Sequence, residues 1–152
     1  NEMAAMWYWY TGLGTYWEEC LGGFGKLCNL HWVERVDKVT TKMLNTDPQW
    51  GGGLPYFGRA LYHITLPRLR GGDMEQAEAL LNKAFAAGPN WLYTRWGRAK
   101  YYHAENKNKK AFIEDLQWLT AQDPSAADSP YPWNVYYQAD ARDMLAHIED
   151  RF

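Results

Sequence analysis

The stretch WGGGLPYFGRALYHITLPRLRGGDMEQAEALLNKAFAAGPNW, residues 50–91, carries a start and a stop signal for each of two successive helices. Leu54, Phe57 and Gly58 open the first helix, and Gly71-Gly72-Asp73 breaks and restarts the chain. Ala77, Leu81 and Ala84 then recur on one face before Gly88-Pro89 ends the second helix, since proline has no N–H to continue it. Asp73 is a good N-cap, and Gln76 three residues later completes a capping box. Small residues at Gly58, Ala77 and Ala84 let the two helices approach closely.

The rest of the chain reads as copies of this hairpin. Tyr10, Leu13-Gly14 and Trp17 repeat the opening signature, as do Tyr93, Trp96 and Gly97. Gly14, Gly58 and Gly97 stand 44 and 39 residues apart, and Pro48, Pro89 and Pro124 stand 41 and 35 apart. A tetratricopeptide repeat (TPR) has a period of about 34, and the excess falls inside the hairpins, at their turns. The expected fold is all-α: one TPR-like domain over 1–152 of about seven helices, with three degenerate repeats at about 2–48, 50–89 and 90–124. A capping helix over 133–151, with Val135, Ala139, Met144, Leu145 and Ile148 as its apolar positions, closes the stack. The segment Leu21 to Leu30, with three glycines and no periodicity, reads as a loop.

Composition narrows the function classes. A formal charge of −2 over 152 residues argues against a nucleic-acid or anionic-membrane footprint. Nine Trp and eleven Tyr exceed what a helical core of this size needs, so some rings should face a ligand or partner. No run reaches the length of a membrane span.

Catalysis finds little support in the residues. Ser125 and Ser129 lie in a loop without a nucleophile-elbow context, and His31, His63, His103 and His147 fall in four different helices with no H-E-x-x-H pair. The expected protein is not an enzyme, holds no metal and uses no cofactor. Cys20 and Cys28 bracket the glycine-rich segment, where they form a disulfide in an oxidising compartment or stand as two small buried apolar side chains.

In TPR solenoids the first helix of each hairpin lines the concave surface. With Gly14, Gly58 and Gly97 in the eighth position, the groove positions are Tyr8, Thr11, Thr15, Glu18 and Glu19, then Gly52, Pro55, Arg59, Tyr62 and His63, then Trp91, Thr94, Arg98, Tyr101 and Tyr102. Tyr8, Arg59, Tyr62, His63, Trp91, Arg98, Tyr101 and Tyr102 are the expected binding residues, because partner-binding surfaces are enriched in aromatic residues and Arg.

Four pieces in order carry a more specific resemblance: MWYWYTGLGTYW, the run Gly51 to Gly58, the Leu66-Pro67 then Gly71-Gly72-Asp73 turn, and KAFAAGPNWLYTRWGRAKYY. Over nearly its whole length the chain resembles the TPR-containing accessory component of TRAP-type transporters. That resemblance implies a non-enzymatic periplasmic helical protein that associates with the extracytoplasmic solute-binding component, and that helps shield or pass on a small apolar ligand. It also implies a lipoprotein-like homo-oligomer that meets the membrane only through an anchor outside these residues, with no nucleic acid as partner. The alternative is a general TPR scaffold that docks a peptide or protein in its concave groove.

Overall fold

In the computed structural model, which describes residues 2–29 and 31–152, every regular element is helical, and no strand occurs among the described residues. The fold is therefore all-α. Helix α1 (Glu2–Thr15) continues as a π-helical turn, Tyr16–Cys20, and is followed by α2 (Gly23–Cys28), α3 (His31–Thr46), α4 (Trp50–Thr65) and α5 (Met74–Ala87). Helix α6 (Leu92–Gly97) runs into a second π segment, Arg98–His103, and α7 (Lys109–Thr120) and α8 (Tyr131–Ala146) complete the chain before a 3-10 turn at Ile148–Asp150.

The helix not foreseen is α2, which lies in the segment read as a loop; Leu30, the last residue of that segment, is outside the described residues. Its internal glycine, Gly25, lowers helix propensity by about 1 kcal/mol. Backbone bonds Lys26 N to Gly22 O (2.9 Å) and Asn29 N to Gly25 O (3.2 Å) close it nonetheless, and the Asn29 side-chain amide donates to the same Gly25 carbonyl at 2.8 Å. Cys20 and Cys28 at its flanks are exposed and unbridged. The structure thus supports neither of the two expectations for them, a disulfide or a buried apolar pair.

Helix starts follow the local chemistry. Asp73 caps α5 by accepting from Glu75 N and Gln76 N, both at 3.0 Å. Gln76 does not close a true capping box: its amide donates to the Asp73 carboxylate at 2.9 Å, while the Asp73 N–H is already given to His63 O at 3.2 Å. Asn108 caps α7 through Ala111 N at 3.1 Å. At the start of α4, Gly51, Gly52 and Gly53 have φ of 58°, 69° and 88°, a left-handed turn that side-chain-bearing residues disfavour. Right-handed helix begins after it, with Pro55 in the first turn, where its missing N–H is not needed.

Successive helices pack side by side. Glu2 pairs with Lys42 and Trp9 lies 6.3 Å from Trp32 between α1 and α3, and Arg59 pairs with Asp37 between α4 and α3. Helix α4 packs along α5, the π segment along α7, and α7 along α8. Two buried clusters result: Leu54, Phe57, Ala60, Leu81, Ala84 and Tyr93, and then Leu92, Ala99, Phe112, Leu116, Leu119, Ala141 and Met144. Tyr137 of α8 packs against both. Gly97 marks a close crossing, since an added Cβ would stand 2.1 Å from Cζ of Phe57. A Cβ at Gly58 would meet Trp7 at 3.3 Å and Tyr10 at 3.4 Å, whereas Gly14 has nothing within 4 Å and marks no close approach.

Helix α8 begins and ends earlier than the 133–151 expected, and its phase differs. The buried positions are Asn134, Gln138, Ala141 and Met144, while Val135 is 41% exposed. Polar side chains face inward because they satisfy carbonyls of the last turn of α7 and of the loop after it. The Asn134 amide donates to Pro124 O at 2.9 Å and to Ser129 O at 2.8 Å, and the Gln138 amide donates to Leu119 O at 3.0 Å and to Gln122 O at 2.7 Å.

Candidate functional site

Rings cluster on α1, on α6 with its π segment, and on α8, and Gly58 of α4 makes room for the first of them. The run starts where Gly58 leaves room for Trp7 and Tyr10, whose centroids are 5.4 Å apart, and where the Tyr10 hydroxyl donates to Gly58 O at 3.0 Å. On α6 and its π segment, Trp96 meets Tyr101 edge-on at 5.8 Å, and Trp96 lies 4.9 Å from Tyr137 of α8. Trp133 stacks on Tyr137 at 6.3 Å and meets Tyr136 edge-on at 6.1 Å. Asp140 holds this end in place, accepting from Trp96 Nε1 at 2.7 Å and from Lys100 at 3.0 Å.

Burial sets the electrostatics of the run. It pushes the Tyr10 and Tyr93 hydroxyls well up, and the Tyr137 hydroxyl up to about 12 with smaller contributions from Tyr136 and Tyr101. These hydroxyls stay neutral donors at physiological pH. Trp133 and Tyr136 at the α8 end are 50% and 47% exposed, so the run opens to solvent there.

Behind the π segment sits a buried carboxylate, Asp115 of α7. Arg98 binds it with two bonds of 2.7 Å, Arg95 reaches it at 3.1 Å and His103 Nε2 lies 3.4 Å away. The Arg95 guanidinium is sandwiched between Phe85 (4.8 Å) and Trp118 (4.2 Å). Burial alone would raise the Asp115 carboxyl, but hydrogen bonds and charge from Arg98 and His103 more than offset that and hold it below the usual carboxylate range.

The π register makes this convergence possible. Residues five apart in an α-helix lie roughly 140° apart about the axis, and i to i+5 bonding brings them close to one line. Arg98 and His103 are five apart and share Asp115; Trp96 and Tyr101 are five apart and share a ring contact.

The residues singled out from sequence divide between different surroundings. Arg59 pairs with Asp37 and lies 4.4 Å over the Tyr62 ring, and both are half-buried. Burial first, then the Asp37 charge, raises the Tyr62 hydroxyl, with Arg59 opposing. Tyr101 belongs to the ring run, while Tyr102 packs against the α4–α5 cluster, with its hydroxyl raised by burial and by Glu78. Trp91 covers Gly52, where a Cβ would stand 2.6 Å from its ring, and packs edge-on to Tyr93.

Other expected positions sit apart from the rings. His63 is only 7% exposed, and its Nδ1 lies 3.0 Å from Gly71 O, so it braces the turn after α4. Tyr8 is 68% exposed. Thr94 and Pro55 are buried and unavailable to a groove, and the Glu18 side chain is outside the described residues.

Sequence reasoning passed over Trp7, Tyr137, Tyr136, Trp133 and Asp115. The rings of α8 were hidden by reading that helix only as a cap, and Asp115 by assuming α-helical periodicity through residues 98–103.

A trough of about 830 Å³ lies elsewhere, lined by His63, Leu66, Pro67, Asp73, Glu105 and Asn106 among others. Among the described residues no three His, Cys, Asp or Glu side chains are grouped to hold a metal ion, and no helix is long and apolar enough to cross a membrane. No curated protein matches the chain. The family described as the TRAP transporter T-component matches it from residue 4 to residue 152. With nearly the whole chain covered, the protein belongs to the TRAP transporter T-component family and serves as an accessory to a TRAP transporter.

Proposed function

We propose that this T-component is a non-enzymatic periplasmic subunit that binds the extracytoplasmic solute-binding component of its transporter through the ring run on α1, α6 and α8. In this reading the helices form three degenerate TPR-like hairpins, α1 with α3, α4 with α5 and α6 with α7, and the ring run lies on α1, on α6 and on the final helix α8. The observation that carries it is the exposure of the run where it reaches α8, with Trp133 and Tyr136 half in solvent. Exposed contiguous aromatic surface of this kind marks an interaction site. Neutral hydroxyls such as that of Tyr137 add directional donors at any pH the periplasm meets. Arg59 with Tyr62 sits at its margin, where the pair would contact the partner's rim. An apolar solute passing between the two proteins would be shielded by the same rings.

The test compares two double variants, Trp133→Ala/Tyr136→Ala and Tyr62→Ala/Tyr101→Ala, for affinity to the solute-binding component of the transporter and for melting temperature. If the run contains hot spots, the first pair weakens binding by about 2 kcal/mol or more, roughly 30-fold, with little change in melting. The second pair shows a smaller loss of affinity and a larger loss of stability, because those rings are half-buried. Unchanged affinity in both variants would sink the reading.

A further inference from the structure

The trough of about 830 Å³ lies between the turn after α4 and Glu105-Asn106, and no Phe, Tyr or Trp lines it. Its volume is that of a small-molecule site, but one in which ring stacking plays no part. One wall is a turn tied at four points. Arg70 N and Gly72 N donate to Pro67 O at 2.8 and 3.1 Å, Asp73 N donates to His63 O at 3.2 Å, and His63 Nδ1 donates to Gly71 O at 3.0 Å. A wall fixed in advance leaves little ordering cost to binding.

The charges around the trough are of both signs and unpaired. Arg68, Glu75 and Glu105 line it, and the side chain of none of the three makes an ion pair or hydrogen bond among the described residues. Asp73 adds no free charge, because its carboxylate accepts from Glu75 N and Gln76 N at 3.0 Å and from the Gln76 amide at 2.9 Å. Those bonds also close the N-terminus of α5 to an outside anion, which leaves Arg68 as the group that can receive one.

Two further features shape the ligand. The His63 ring is 7% exposed and lines the trough; with Nδ1 committed to Gly71 O, Nε2 remains as a nitrogen that makes no hydrogen bond. Ile64, Leu66 and Met74, all half-buried, add apolar lining.

We propose that the trough binds a small zwitterion with an apolar body, an apolar amino acid or a short apolar peptide with both ends free. Its carboxylate sits on Arg68, whose planar fork matches that group, and its ammonium donates to Glu75 and Glu105, with His63 Nε2 as a further acceptor. The apolar body lies on Ile64, Leu66 and Met74. An organic anion alone would meet the two glutamates and an organic cation alone would meet Arg68, whereas a ligand with both charges satisfies all three. A quaternary ammonium is disfavoured, since it has no N–H to donate and finds no ring to lie against. This site is separate from the ring run and stands or falls independently of it.

The test is isothermal titration calorimetry of the whole chain with L-leucine and with leucyl-leucine, each also blocked at one end as the C-terminal amide or the N-acetyl form. Leucine or the free dipeptide should bind, and the tighter of the two tells a free amino acid from a peptide as the source. Blocking either end should weaken binding by about tenfold or more. Arg68→Gln should bind the free compound and its amide equally, and Glu75→Gln/Glu105→Gln should bind the free and N-acetyl forms equally. Arg70→Gln removes the same charge outside the trough lining and should bind as the original does. All four altered side chains are exposed, so unchanged melting shows that each variant is folded. No binding of either free compound at millimolar concentration, equal affinity for free and blocked forms, or an Arg70→Gln loss as large as that of Arg68→Gln would overturn the proposal.

Discussion

Gly97 and Asp115 hold the tightest local constraints. Any Cβ at Gly97 collides with the Phe57 ring, so Gly97→Ala should destabilise by about 1 to 3 kcal/mol through overpacking. Gly58→Ala, where contacts of 3.3 and 3.4 Å need only a small shift, should lose clearly less. Denaturant titration of the two variants would rank them. The importance of both glycines was legible in the sequence from their shared place beside an aromatic at the opening of a helix. Gly14, given the same place, has open space around it, because short-range pattern does not reveal what stands across the gap.

Asp115 was not legible, since nothing local identifies a buried carboxylate whose partners lie 12 to 20 positions earlier. Asp115→Asn should cost about 3 kcal/mol, at the low end of losses for a broken buried pair, because Arg95 and Arg98 keep some solvent. The carboxyl is depressed in the folded state, so its contribution is complete above its unfolded value near 4 and is lost as pH falls through the lower folded value. Melting curves of the original protein should therefore lose stability in strong acid along a slope that Asp115→Asn lacks.

Among the elements, the π segments and α2 separate what pattern can reveal from what it cannot. Caps, prolines and apolar spacing set the bounds of α5 closely, because those signals are local and each has one structural meaning. A π segment has the composition of an α-helix and differs only in register, which its neighbours impose through Asp115 and Tyr137. Helix α2 is short, glycine-rich and flanked by exposed Cys20 and Cys28. Amide exchange should be fast across Tyr16–Cys28 and slow across α5 and α7, and both cysteines should react with maleimide in the native protein at rates near those of a free thiol. Slow labelling of either cysteine would show that this segment packs more tightly than the geometry indicates.

For the whole molecule, the family and the all-α class could be read from the sequence, because helix signals and the ordered motifs extend over nearly its full length. Which turns lie side by side could not, since only the fold brings Leu66 and Pro67 to the same trough as Glu105 and Asn106. Nor could the role of α8, whose buried Asn134 and Gln138 interrupt the apolar spacing that a cap was expected to show. A linear stack in which each hairpin touches only its neighbours can melt in stages from its ends. Here the Tyr137 ring touches both buried clusters at once, so the last helix ties the two together. The expected calorimetric signature for the part from α4 onward is one transition whose van 't Hoff and calorimetric enthalpies agree. In Tyr137→Ala the van 't Hoff value should drop below the calorimetric one, as the two clusters begin to melt separately.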